Sequence, residues 1–261
     1  MKIQFYQVDA FTREVFGGNP AAVCLLESWL DREMLQAIAA ENNVSETAFL
    51  VAKGFGLYEL RWFSPTIEID LCGHATLASA SVVFEFFETA LSSVDFETAS
   101  GRLTVSKSGD RLLMDFPARP PVQTASPPNL ASALGGEPLA VLKSRDLLAV
   151  FPDEDSIREM NPDFEKLRQM KDFFAVIVSA PGKTVDFVSR FFAPNAGILE
   201  DPVTGSAHCT LIPYWAARLN KNRLHALQLS PRVGELFCEH AGDRVQISGH
   251  AVLFAKGELY L

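Results

Sequence analysis

The sequence predicts an α+β protein made of two homologous halves, each a curved, mostly antiparallel sheet wrapped around a central helix, with an active-site cleft between them. Three observations predict it. The first is an internal duplication: Arg61-Trp62-Phe63-Ser64-Pro65 returns as Arg190-Phe191-Phe192-Ala193-Pro194, 129 positions later (190 less 61). A second anchor, GRLTVSKSGDRLLM from Gly101, returns as GELFCEHAGDRVQI from Gly234, 133 positions later (234 less 101). Two anchors with nearly equal offsets, each close to half the chain, are the mark of a repeat. The second observation is that short alternating runs outnumber helical ones. The third is that a glycine-containing turn opens an apolar helix after each Arg-x-Phe block: CGHAT into LASASVVFEFF, and TGSAH into CTLIPYWAARL. A helix apolar on all sides is a buried helix.

Taken in order, the first half reads as strands near 2–10, 20–27, 46–52, 58–63, 93–98, 101–107 and 111–116, bounded by turn residues. Helices fit 31–41, where Asp31 stands at the cap position of an apolar-periodic run, and 74–88. The stretch Pro117–Pro128, PARPPVQTASPP, suits a linker. The second half repeats the strand-rich pattern, with helices near 154–170 and 205–219. The expected division is therefore 1–117 and 118–249, with the last strand, about 250–261, pairing back onto the first half.

Composition narrows the class. With 23 Lys and Arg against 32 Asp and Glu, the net charge is −9, and no basic cluster forms the face that nucleic acid requires. No apolar run approaches the ~20 residues of a membrane span. The start, MKIQFYQVDAF, alternates like a strand and lacks a signal peptide's continuous apolar stretch. Cys24, Cys72, Cys209 and Cys238 form neither a CxxC nor a disulfide framework, so a reducing, cytoplasmic setting is expected.

Chemistry concentrates at the two repeated turns. Gly73 and Gly205 each stand at a helix start, where unpaired amides attract carboxylates. Taken singly, each glycine is better explained by tight helix–strand packing. His74 and Ser206 occupy the same place after them, which favours a site for a small carboxylic acid. Asp201, in Glu200-Asp201-Pro202-Val203-Thr204, precedes a proline and belongs to a strand end or loop. Alone, it reads equally as a helix cap. Glu46 opens an apolar strand in SETAFL; desolvation there would suit acid/base work, while read alone it is a surface residue. GxSxG, P-loop and HExxH patterns are absent. Cys72 with His74, and His208 with Cys209, lack metal-ligand spacing, so no metal is expected.

GGNPAAV at 17–23, SETAFL at 45–50, CGHATLA at 72–78 and EDPVTGSAH at 200–208 together resemble the PhzF-like family, named for a phenazine-biosynthesis isomerase. The resemblance runs from Val8 to the last strand. It implies the diaminopimelate-epimerase-like fold, two pseudo-twofold-related halves, and homodimerisation. It also implies a cofactor-independent isomerase or epimerase that moves a proton on a small carboxylic acid. Carried over by position, Glu46 matches the acid/base glutamate, and His74 and Asp201 match groups that orient the substrate or exchange protons with it. Ser206 matches the serine five residues after that aspartate. Gly73 and Gly205, flanked by Cys72 and Thr204, match the turns that hold the substrate carboxylate. Racemases of the same fold use two cysteines, one per half. Cys72 holds the first such place and Thr204 the second, so a Cys72-assisted racemase and a non-catalytic carboxylate binder stand as alternatives. The family's Arg-Gly-Gly near the second hairpin is here Arg232-Val233-Gly234, with valine in place of a glycine.

Overall fold

The structure, a computed structural model, describes residues 1–261. Its contacts divide the chain into two compact units, Met1–Asp115 with Ser248–Leu261, and Phe116–Ile247. The break falls inside a strand, one to two residues before the proline-rich stretch. That stretch is not a free linker, because Val122–Gln123 pairs with the strand Ala140–Lys143.

In the first unit the elements run β1 (Lys2–Ala10), β2 (Asn19–Leu26), α1 (Arg32–Asn42), β3 (Glu46–Gly54), β4 (Leu57–Phe63), β5 (Glu68–Ile69), α2 (Gly73–Val82), β6 (Ser93–Thr98), β7 (Gly101–Ser108) and β8 (Arg111–Pro117). β1 pairs antiparallel with β2, β2 parallel with β3, β3 antiparallel with β4, β4 parallel with β6, and β6, β7 and β8 follow as antiparallel neighbours. The chain's last strand, Ala251–Tyr260, lies antiparallel along β1 from Lys2 to Ala10. The apolar helix α2 packs on β1, β2, β3, β7 and this last strand, and nearly all its residues are buried. It is shorter than the sequence suggests: after Val82 the chain makes a π-helical turn, Val83–Phe87, closed by Glu88 N–H to the Val83 carbonyl at 2.8 Å. α1 covers the opposite side, seating Leu35, Ile38 and Ala39 on Cys24, Phe49 and Phe63. Asp31 occupies its N-cap position without a side-chain hydrogen bond.

The second unit contains β9 (Val122–Gln123), α3 (Leu130–Leu134), β10 (Ala140–Lys143), β11 (Leu147–Val150), α4 (Glu154–Arg158), α5 (Phe164–Arg168), β12 (Val176–Pro181), β13 (Phe187–Phe192), α6 (Gly205–Leu219), β14 (Arg223–Gln228), β15 (Gly234–Ala241) and β16 (Arg244–Gly249); the last strand of the chain is then β17. β10 to β15 repeat the order of β1 to β7: antiparallel, parallel, antiparallel, parallel, antiparallel. The repeat reaches single bonds. Arg61 Nε donates to Glu68 at 2.7 Å, and Arg190 Nε to Glu200 at 2.7 Å. The one long helix expected over 154–170 is two short ones, because Asn161-Pro162 interrupts the run and Asp153 and Asp163 each cap a new start.

α6 carries Pro213 in its interior, which removes the hydrogen bond to the Cys209 carbonyl. The amide of Arg119 takes that bond over at 2.8 Å, so the helix keeps its course without an orphaned acceptor. Trp215 is fully buried, stacked on Phe187 with ring centroids 5.7 Å apart, and its indole N–H donates to Ser179 at 2.9 Å. The helix ends on Asn220 in the left-handed conformation.

Val233 has φ +51, in the left-handed region that a β-branched residue rarely adopts. Gly234 beside it has no room for a side chain, since a Cβ would lie 2.2 Å from Val203. The left-handed conformation costs an L-residue about 1–2 kcal/mol, and a glycine gives back about 0.5–1 kcal/mol in lost unfolded-state restraint. Val233→Gly is therefore expected to stabilise the protein by about 0.5–1 kcal/mol, read as a rise in melting temperature of about 1–4 °C. A drop would mean that the valine side chain contributes more through contacts than its backbone costs.

Candidate functional site

In the first unit three of the sequence candidates meet. Glu46 is the first residue of β3, which runs parallel to β2 with Ala21 as its partner. Cys72 is the N-cap of α2 and His74 its second residue. His74 Nε2 lies 2.9 Å from Glu46 Oε2, a close ionic contact whose angles fall outside hydrogen-bond geometry. Cys72 Sγ lies 3.6 Å from Nδ1 and 3.9 Å from Nε2 of the same ring. Glu46 is thus no surface residue: it is 6% exposed, with Cys72 at 6% and His74 at 4%.

Local structure holds this group still. Thr76 grips the Cys72 carbonyl with its amide at 3.2 Å and its hydroxyl at 2.5 Å, which fixes the helix start. Asn19, which sequence reading missed, lies 3.1 Å from His74 Nδ1 through its side-chain amide. Its position depends on Gly18, at φ +57, where a Cβ would lie 2.0 Å from the Ala10 carbonyl oxygen. Only glycine lets the chain approach that closely and deliver Asn19 to the ring. The signal was present in the GGNPAAV motif, but nothing in the sequence ties it to His74.

Burial and neighbouring charge act together here. Burial pushes the Cys72 thiol up to about 11, with the Glu46 carboxylate adding to the effect and His74 opposing it. The thiol is therefore neutral at physiological pH. Burial works to depress His74, but the negative charge that Cys72 and Glu46 can carry outweighs it and holds the imidazole above its ordinary range.

In the second unit, Asp201, Thr204, Gly205 and Ser206 surround the start of α6. Thr204, the N-cap, donates its hydroxyl to Asp201 Oδ2 at 2.6 Å. Gln228, also missed from sequence, ties the turn together: its amide donates to the Asp201 carbonyl at 2.7 Å and its oxygen accepts from Thr204 N–H at 2.8 Å. Ser206 Oγ accepts from Arg145 Nη2 at 3.2 Å. Arg145 forks onto buried Asp146, with both bonds at 3.1 Å, and stacks over Phe174. Arg145 is a third neighbour of the candidate residues that the sequence did not announce, because 61 residues separate it from Ser206. Cys209 is buried inside α6 with its thiol on the Gly205 carbonyl, so it supplies no second reactive thiol at the helix start.

Cys72 and His74 are donors close in sequence. The fold adds a third: Glu46, Cys72 and His74 each offer a donor atom within 4.8 Å of the others.

Comparison with known proteins shows the family. The sequence profile of the PhzC-PhzF family, described as phenazine biosynthesis-like protein, matches residues 8–257. The chain belongs to this family. It is 50% identical to an uncharacterized isomerase of Pseudomonas aeruginosa over 100% of both chains. A crystal structure of a phenazine biosynthesis protein of the PhzF family from Enterococcus faecalis superposes with a TM-score of 0.97, at 50% identity and 100% coverage of each chain. A hydroxyproline epimerase from Agrobacterium vitis shares the fold at TM-score 0.64 and 10% identity, covering 99% of this chain and 92% of its own. The relatives' names and the family assign this protein to the isomerases. No helix is long and apolar enough to cross a membrane.

His208 gives the unit a measurable pH signature. Its Nδ1 meets the Thr204 carbonyl at 2.8 Å, so Nδ1 carries the proton in the neutral ring. Burial lowers it to about 4, against a smaller upward pull from that bond. Because the unfolded ring titrates near 6.5, the unfolded state binds more protons between those values, and stability rises with pH across that window. The full effect is roughly 3 kcal/mol, lost as pH falls from 6.5 towards 4. His208→Asn, which keeps a donor for Thr204, is expected to flatten the slope of melting temperature against pH between 6.5 and 5. An unchanged slope would show that His208 is not neutral in the native state.

Proposed function

We propose that this isomerase moves a proton between carbon positions, or between faces of one carbon, on a small carboxylic acid, with Glu46 as the general acid/base. The observation that supports it best is the buried contact of Glu46 with His74 beside the open amides of α2. In the proposed step the Glu46 carboxylate takes a proton from a carbon conjugated with the substrate carboxylate. The electron pair left behind spreads over the conjugated system, and the helix-start amides at Gly73 and His74 stabilise the negative charge as it grows. Glu46 then returns a proton to a different position, so no atom or electron is gained or lost. His74 orients the carboxylate and exchanges protons with it. Asp201 and Ser206 are proposed to bind or exchange protons with the substrate, and Thr204 and Gly205 to bind its carboxylate.

A two-thiol racemase finds no support, since Thr204 holds the place of the second cysteine and its hydroxyl is engaged by Asp201. A single-thiol variant would need Cys72, whose burial keeps it protonated. Solvent-deuterium uptake separates the readings. The protein is incubated in D2O with a panel of amino acids and cyclic unsaturated carboxylic acids, and mass shifts are read. Glu46→Gln is expected to cut uptake by about 100-fold or more while ligand-induced thermal shifts persist. Uptake that survives Glu46→Gln but vanishes in Cys72→Ser would make the protein a thiol racemase. Ligand-induced shifts without any uptake would make it a binder.

A further inference from the structure

The first-unit group has a property that proton transfer does not require. Its three side chains are a thiol, an imidazole and a carboxylate, all buried, with one donor atom each inside 4.8 Å. Zinc binds these groups at about 2.0–2.3 Å in tetrahedral geometry, which sets donor atoms about 3.3–3.8 Å apart. Cys72 Sγ to His74 Nε2 is 3.9 Å and His74 Nε2 to Glu46 Oε2 is 2.9 Å. These two distances lie within about half an ångström of what a metal needs, and the thiol and the carboxylate lie within 4.8 Å of each other. We propose that Glu46, Cys72 and His74 form a binding site for one zinc-class divalent cation.

Three further features favour it. First, the charges balance. A divalent ion with a thiolate, a carboxylate and a neutral imidazole sums to zero, which is the arrangement a buried site tolerates. Second, the donor set discriminates. Thiolate and imidazole suit zinc and its softer neighbours, whereas magnesium and calcium prefer oxygen alone. Third, the ring is already oriented. The Asn19 side-chain amide sits on Nδ1 at 3.1 Å, which holds the ring with Nε2 facing Glu46. Ligating histidines are commonly held by such a partner. Three protein donors leave a fourth position for water or an oxygen of the substrate.

Occupancy has a consequence that rests on the proposed function. The ion would engage the same oxygen and nitrogen that proton transfer uses, so zinc would switch the isomerase off and a chelator would restore it.

The test uses the full chain, stripped with a chelator, and titrated with zinc chloride against a chromophoric chelator. Cobalt(II) is added in parallel, because a thiolate ligand gives a charge-transfer absorption. The expected result is one zinc per chain and a cobalt–thiolate band that persists in Cys209→Ser and disappears in Cys72→Ser. Cys72→Ser and His74→Asn should each weaken zinc binding by tenfold or more, a ligand costing at least as much as an outer partner. Circular dichroism of the metal-free variants reports whether they fold. Should either fail to fold, the cobalt spectrum of the unmodified protein still decides. Absence of stoichiometric zinc, or binding undiminished in both variants, overturns the site. Stoichiometric zinc on these residues with undiminished deuterium exchange would support the site and remove Glu46 and His74 from the chemistry.

Discussion

A carboxylate and an imidazole 2.9 Å apart, each nearly sealed from water, is the contact around which the first unit is organised. Ionisable groups are buried only where partners compensate for lost hydration, and removing one partner leaves the other stranded. That constraint explains the surrounding detail. β2 and β3 lie in parallel register so that Asn19 and Glu46 open adjacent strands on the same side of the sheet as α2. Gly18 permits the backbone approach that brings Asn19 to His74. Thr76 locks the Cys72 carbonyl, so the first turn of α2 cannot rotate its histidine away. Local strain and pairing in this region serve geometry at a few atoms rather than general stability.

The duplicated topology places different side chains at two equivalent helix starts. Strand order, the helix after the Arg-x-Phe strand and the Arg–Glu pairs at Arg61 and Arg190 are retained in both units. Even the cover on the cap carbonyl is conserved in kind. Thr76 stands over Cys72 O, and His208 over Thr204 O, each four residues on. The side chains at the helix starts differ between the units. Where the first unit has Cys72 and His74 beside a carboxylate, the second has Thr204 and Ser206, bonded to Asp201 and Arg145. The second joins two hydroxyls to a carboxylate and a guanidinium.

Much of this was legible in the residues. The repeat anchors, the two apolar helices and the four motifs from GGNPAAV to EDPVTGSAH carried the fold class and the family, because spacing and local pattern are written along the chain. Glu46, Cys72 and His74 could be singled out, but not their meeting. That meeting depends on the parallel pairing of β2 and β3, and nothing local encodes which strands pair. The same reason hid Asn19, Gln228 and Arg145, whose partners stand 24 to 61 positions away. Helix ends failed for a different reason. The π-turn after Val82 preserves an apolar pattern through a change of hydrogen bonding, and Asn161-Pro162 breaks a run whose periodicity continues beyond it.

Glu46 and His74 are proposed to act as one device rather than as two independent contributors. A double-mutant cycle on deuterium exchange measures this directly, comparing Glu46→Gln, His74→Asn and the two combined on one exchanging substrate. Residues that work as a unit lose most of their effect with the first substitution. The combined variant should therefore be no slower than the slower single variant, within about threefold. Losses that multiply across the cycle would contradict the account, and would mean that the contact between the two side chains holds the fold without coupling the chemistry.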